Sequence, residues 1–242
     1  MTEELFRDDA TLLACTAMVV AVDEAGIVLD RTVFYPLGGG QAGDTGTLTT
    51  TGGVALAIVD TRKHKERVGA IAHVAAAGAD LAPLAPGTPV HAQVDAPRRR
   101  AHMRFHTATH LLCALVPHPV DGCSITAQYA RLDFHMTEPL DKEALDAGLA
   151  RLVAEAHPVR QRWIDEAELD ANPGLVRSMS VQPPRGLGRV RLIDIEGVDL
   201  QPCGGTHVAN TAEIGPLRVT RIEKKSAATR RVVLGFAEPA AG

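Results

Sequence analysis

The sequence predicts an α+β protein in two parts: a small N-terminal β-barrel over residues 1–95, and an α+β domain over residues 96–242 in which an antiparallel sheet packs on a histidine-bearing helix. Three observations carry this expectation. Before residue 95, short β-favouring segments alternate with Gly/Pro punctuation. At Asp95-Ala96-Pro97 the texture turns helical. Beyond that point, helical and strand-like periodicities alternate.

Residues 11–22 are rich in β-favouring and small side chains and stop at Asp23-Glu24-Ala25-Gly26, a hairpin turn before Ile27-Val28-Leu29. Residues 46–50, 54–61, 70–75 and 89–94 fit further strands, and the Ala/Pro-rich stretch 75–89 fits an internal loop. Short, evenly spaced strands of this kind suit a small barrel or sandwich. Asp95 can cap a helix with Pro97 in its first turn. Met103, Leu111, Leu112 and Leu115 carry that helix over 97–116, and Pro117 ends it. A second helix fits 141–156, where Leu145, Leu149, Leu152 and Val153 recur at helical period. Strands are expected at 130–135, 159–164, 189–195, 217–223 and near 231–236.

With 242 residues, 45% apolar and 22% charged, the chain has an ordinary globular composition and can bury a sizeable core. No apolar run approaches the roughly 20 residues of a membrane span. The acidic start Met1-Thr2-Glu3-Glu4 lacks the basic-then-apolar pattern of a secretory signal. The sequence therefore reads as cytoplasmic. Cys15, Cys113, Cys123 and Cys203 have no framework spacing and are expected to be free thiols or ligands. A net charge of −4 excludes a generally basic protein, so any nucleic-acid contact must come from local patches. Arg98, Arg99 and Arg100 form one patch with Arg104; Lys224-Lys225 and Arg230-Arg231 form others. Such runs are otherwise plain solvated surface.

Two motifs offer metal ligands. His106-Thr107-Ala108-Thr109-His110 places two imidazoles at i, i+4 on one helix face. Cys203-Gly204-Gly205-Thr206-His207 brackets a tight Gly-Gly-Thr loop with a thiol and a third imidazole. Three imidazoles and a thiolate form a set that zinc favours. No Glu lies between His106 and His110, which disfavours the peptide hydrolysis of H-E-x-x-H helices. His102 and Cys113 share nearly the same face, but i+7 lies about 10 Å along a helix, so both suit the core or a supporting position. If all four tetrad residues bind together, the coordination sphere is closed, as in structural zinc sites. A third motif, Phe34-Tyr35-Pro36-Leu37-Gly38-Gly39-Gly40-Gln41, lacks the Gly-Lys-Ser/Thr of a phosphate loop and is no dinucleotide fingerprint. It serves either as a tight structural loop or as one that faces a substrate.

Taken in order, FYPLGGGQAGDTG, HTATHLL and CGGTH resemble the editing region of alanyl-tRNA synthetase. With no nucleotide-binding or anticodon-type segment accompanying them, the chain is more similar to the free-standing alanyl-tRNA editing proteins, the AlaX family, in the larger form with an N-terminal barrel. The likeness runs from about Thr11 to Phe236. It implies that His106, His110, Cys203 and His207 bind Zn2+, so the long helix would bear the zinc. It also implies hydrolysis of the ester in mischarged tRNA(Ala), chiefly Ser-tRNA(Ala) and also Gly-tRNA(Ala). The logic is coherent, because an alanine pocket separates glycine or serine by only about 1–3 kcal/mol.

Residues 122–134 resemble the family's Gly-Ser … Arg-Phe-Asp-Phe stretch, with Cys123 where Ser is usual, Leu132 for the first Phe, and apolar Val120 at a polar upstream position. Thr109 and Ser124 are candidates for contacting the substrate, with a structural role equally open. Arg98, Arg99 and Arg100, with Lys224 and Lys225, would hold tRNA phosphates. The rival of another class is a tRNA-binding module with a purely structural zinc. A metal hydrolase of small esters would leave the glycine-rich motif unexplained.

Overall fold

The computed structural model describes residues 1–179, 186 and 188–237. It is mostly sheet with few helices, and it divides into two compact units: residues 1–38 with 42–100, and Gly39–Gln41 with 101–242.

The first unit is a closed barrel. After the short strand β1 (Glu3–Glu4) come β2 (Ala14–Asp23), β3 (Gly26–Leu29), the two-residue β4 (Arg31–Thr32), β5 (Gly46–Thr50), β6 (Ala55–Lys63), β7 (Ile71–Ala75) and β8 (Pro89–Val94). The barrel runs β2-β3-β7-β6-β5-β8, and β1 pairs with β4 in parallel. Period-two alternation fills it: Ala17 and Val19 on β2, Leu56 and Ile58 on β6, and Val90, Ala92 and Val94 on β8 all point inward and are buried. Strands β5 and β8 occupy the residues expected from the sequence, whereas β2 begins at Ala14 rather than at Thr11.

Helix α1 (Ala96–Leu115) follows. Asp95 caps it, its Oδ1 accepting from Arg98 N at 3.0 Å. From His102 to Cys113 every residue except Arg104 is buried. Its histidines and threonines must therefore find partners inside the protein.

The second unit contains β9 (Val120–Ile125), β10 (Ala130–His135), α2 (Lys142–Ala154), β11 (Val159–Asp165), α3 (Glu166–Ala171), β12 (Arg189–Ile195), β13 (Asp199–Pro202), β14 (Leu217–Ser226) and β15 (Thr229–Phe236). Asp141 caps α2 through Glu143 N and Ala144 N. The single antiparallel sheet expected here is instead two, β14-β15-β10-β9 and β11-β12-β13. Each grows from a local antiparallel hairpin, β12-β13 or β14-β15, and the ligand-bearing stretch between Pro202 and Leu217 separates them. Phe105 of α1 stacks on Phe236 of β15 at 3.9 Å between ring centroids, and Gly148 of α2 leaves room for Leu115. Among the described residues, no helix is long and apolar enough to cross a membrane.

Candidate metal centre

The two ligand motifs meet. His106 and His110 from α1, with Cys203 and His207 from the loop after β13, bring one donor atom each within 4.8 Å of one another. Cys203 Sγ lies 3.3 Å from both His106 Nε2 and His207 Nε2. A tetrahedral zinc with Zn–N of about 2.0–2.1 Å and Zn–S of about 2.3 Å separates its ligand atoms by roughly 3.3–3.6 Å. The four donors thus match such an ion in type, and the two Cys203 distances match it in size. His102 and Cys113 stand outside the group.

Each imidazole turns Nε2 inward because its Nδ1 is held from behind, as is usual for metal-bound histidines. His106 Nδ1 donates to Gln41 Oε1 at 2.7 Å. His110 Nδ1 donates to Asp199 Oδ2 at 2.8 Å. His207 Nδ1 meets the Thr107 hydroxyl at 3.2 Å, while that hydroxyl donates to Met103 O on its own helix. Gln201 Nε2 donates to both Asp199 oxygens and fixes that carboxylate in turn.

The loop is pinned by Arg191 of β12, whose Nη1 donates to Cys203 O at 2.9 Å and to Gly205 O at 3.0 Å. Gly205 N donates to Cys203 Sγ at 3.4 Å. A Cβ at Gly205 would fall on the His106 ring, so glycine is required there by close approach.

Electrostatics favours the metal-binding forms of Cys203 and His207. Burial would push the Cys203 thiol up, but His106 and His207 beside it and the hydrogen bonds from His106 and His110 outweigh burial and hold it well below the usual thiol range. Burial, followed by the charge of His106, keeps His207 well below the ordinary imidazole value. Burial also opposes charge on His110, yet the bonds to Asp199 and Cys203 prevail and raise it to about 10. An ion entering the site would replace that proton.

The glycine-rich run is divided. Gly38 belongs to the barrel unit, where its carbonyl accepts from Tyr35 Oη at 2.9 Å. Gly39 and Gly40 have φ of +58° and +83°, and Gln41 is fully buried in the second unit. Gly40 O accepts from Ile125 N at 2.7 Å, and a Cβ on Gly40 would lie 2.8 Å from Cys123 Sγ. Close backbone packing against β9 therefore explains the glycine at 40.

Several expected site residues take other roles. The Thr109 hydroxyl is buried and donates to His106 O at 2.7 Å, while Thr107, two positions earlier, meets a ligand imidazole, that of His207. Ser124 pairs across the sheet with Arg131, on the strand face opposite Cys123, and Cys123 is the side chain that meets Gly40. Burial raises the Cys123 thiol to about 12, so it is neutral. Arg99 corrects the phosphate-contact expectation: it is 1% exposed and ion-paired with the buried Asp44 inside the barrel unit. Lys225 pairs with Asp133 at 2.8 Å, whereas Arg100 and Lys224 are exposed. Asp199 was missed from sequence. It stands four residues before Cys203, and the need of a ligand histidine for an acceptor behind it is the signal that could have found it.

Comparison with known proteins agrees with this geometry. The model of the threonyl and alanyl tRNA synthetase second additional domain matches residues 190–233, which include Cys203 and His207, and that of the class II (A) tRNA synthetases matches residues 9–98. The chain is 34% identical over 241 residues to the alanine–tRNA ligase of Methanothermobacter thermautotrophicus, covering 96% of this chain and 26% of that protein. It thus spans about a quarter of the ligase. It is 31% identical over 243 residues to the alanyl-tRNA editing protein AlaX-M of Methanosarcina acetivorans, covering 96% of this chain and 98% of that protein. For AlaX-M of Methanosarcina barkeri the identity is 32% over 240 residues, again 96% and 98%. Identity above 30% across nearly the whole of these relatives, in a chain whose two ligand motifs converge on one point, means that it belongs to the AlaX-M family of alanyl-tRNA editing proteins.

Proposed function

We propose that the chain is a trans-editing hydrolase that deacylates mischarged tRNA(Ala), chiefly Ser-tRNA(Ala) and also Gly-tRNA(Ala), with Zn2+ held by His106, His110, Cys203 and His207. The observation that carries this reading is the convergence of those four donors, each imidazole braced from behind, in a chain of the editing family. A bound zinc supplies a Lewis acid that can polarise an ester carbonyl or orient the amino acid. The protein's own residues hold the site together. Gln41, Asp199 and Thr107 aim the imidazoles, and Arg191 holds the loop. An aminoacyl ester is already activated, so the reaction needs no strong protein nucleophile. Exposed Arg100 and Lys224 are the cations best suited to tRNA phosphates, with Arg98 and Lys225 partly engaged elsewhere.

In this reading the four-stranded sheet and the zinc-bearing helix α1 form the editing domain over residues 96–242, and residues 1–95 form a barrel domain. The protein works in the cytoplasm on tRNA, without a nucleotide cofactor. One observation favours a second reading: four protein donors close a tetrahedral sphere, as in structural zinc sites, so the chain would be a tRNA-binding module without hydrolytic activity. Incubation with Ser-, Gly- and Ala-tRNA(Ala), with and without chelator, beside His110→Ala, separates the two. Selective loss of the seryl and glycyl esters, abolished by chelator and by the variant, is the expected result. Tight binding with every ester intact would establish the module instead.

A further inference from the structure

We infer that Gln41 is a positioning residue of the metal centre: its side-chain amide fixes the orientation of His106 and closes the Cys203/His207 loop onto the same point. The inference rests on the zinc reading above. Gln41 ends the glycine-rich run, and the turn that delivers it is built for that purpose. Gly39 and Gly40 take up left-handed backbone, Gly40 O is held by Ile125 N at 2.7 Å, and Gln41 forms a bridge to Ile125. The side chain that emerges is completely buried. A buried amide left unpaired destabilises the fold, so its oxygen and nitrogen need partners inside the protein. Here its partners are supplied entirely by the two ligand motifs.

The oxygen of that amide accepts from His106 Nδ1 at 2.7 Å and from Thr206 N at 3.1 Å, while its nitrogen donates to Thr206 Oγ1 at 3.0 Å. A carbonyl oxygen can only accept, so His106 must carry its proton on Nδ1. Nε2 is then the ring nitrogen that faces Cys203 Sγ, 3.3 Å away. Thr206 lies between the ligands Cys203 and His207. One side chain therefore orients a helix ligand and anchors the loop that carries the other two. Metal binding and the Gly39–Gln41 turn are linked in consequence: whatever draws the turn away loosens the ion, and loss of the ion frees the turn.

The test is zinc affinity, measured by chelator competition on the full chain with wild type, Gln41→Met and Gln41→Glu. Methionine keeps the volume and loses the hydrogen bonds; zinc binding is expected to weaken by about 10–100-fold. Glutamate keeps the acceptor for His106 Nδ1 and Thr206 N and is expected to recover most of that loss, which a role in packing alone would not produce. A second measurement needs no variant: in the cadmium-substituted wild type with labelled nitrogen, NMR coupling should assign the metal to Nε2 of His106. Methionine binding zinc within twofold of wild type, or coupling to Nδ1, overturns the inference while the metal reading stands. A wild type that retains no zinc overturns both.

Discussion

Replacing Arg99 by Met tests whether this arginine, one of a run of three, serves the fold rather than a nucleic acid. Its guanidinium is 1% exposed and Asp44 is fully buried. Nε donates to Asp44 Oδ2 at 3.0 Å, Nη1 to Ala10 O at 2.8 Å and Nη2 to Val33 O at 2.5 Å; Nη2 also donates to Asp44 Oδ2. Asp44 in turn accepts from Tyr35 N at 2.7 Å. Removing one partner of a buried ion pair leaves a buried charge without its counter-charge, a loss of about 3–5 kcal/mol. For a unit of roughly a hundred residues, where 1 kcal/mol corresponds to about 4–8 °C, melting should fall by more than about 10 °C. Urea and thermal unfolding followed by circular dichroism provide the assay. Asp44→Asn added to Arg99→Met should recover part of the loss, because the stranded charge is gone. Arg100→Ala, at an exposed position, should leave unfolding unchanged. A variant Arg99→Met that unfolds within about 1 kcal/mol of wild type would refute the buried-pair argument.

Asp199→Asn should weaken zinc binding by about 10–100-fold without moving the melting of the barrel, as read by chelator competition, because it disturbs the bond behind His110 and none inside the barrel. Gly205→Ala should lose zinc at least as severely, since its methyl would occupy the His106 ring; metal content after dialysis checks this. Burial lowers His73 to about 4 despite its hydrogen bond to Ile27 O, so folding holds it neutral. Its contribution to stability is full above pH 6.5 and is lost as pH falls from there toward 4, on the order of 3 kcal/mol. His73→Gln should flatten that part of the stability profile in urea titrations from pH 7 to pH 4.

The sequence disclosed most of the barrel, because its inward residues alternate and Gly or Pro marks each turn. It disclosed the ligand helix as well, with Asp95 and Pro117 as its two ends. Strands β9 and β13 escaped. Val-Asp-Gly-Cys-Ser-Ile carries no β-branched alternation, and Asp-Leu-Gln-Pro is short and ends in a residue that strands avoid. The four donors were legible because cysteine and histidine at such spacing have a chemistry of their own. Their supports were not: glutamine after a glycine run, or aspartate at the start of a four-residue strand, carries no periodic signal, and its meaning lies in what the fold sets opposite it. Arg99 misled for the same reason, since a buried arginine and an exposed one are identical in composition and only the register of α1 separates them from each other.

The supports also bear on what the centre can do. Asp199 is the carboxylate tied to the donor group, and it is committed to His110, to Gln201 and to the nearby Arg177 at 3.7 Å. Thr107 and Thr109 spend their hydroxyl protons on helix carbonyls. Among the described residues, the groups in contact with the ligands are therefore occupied in holding geometry, and none is poised to take a proton from water. Should Asp199 act only through His110, saturating zinc would restore the rate of seryl-ester loss in Asp199→Asn. Had it been a general base, the rate would stay depressed at any zinc concentration. The zinc dependence of turnover in that variant thus separates a centre that holds its substrate, leaving the proton to solvent or to the substrate itself, from one that carries its own base.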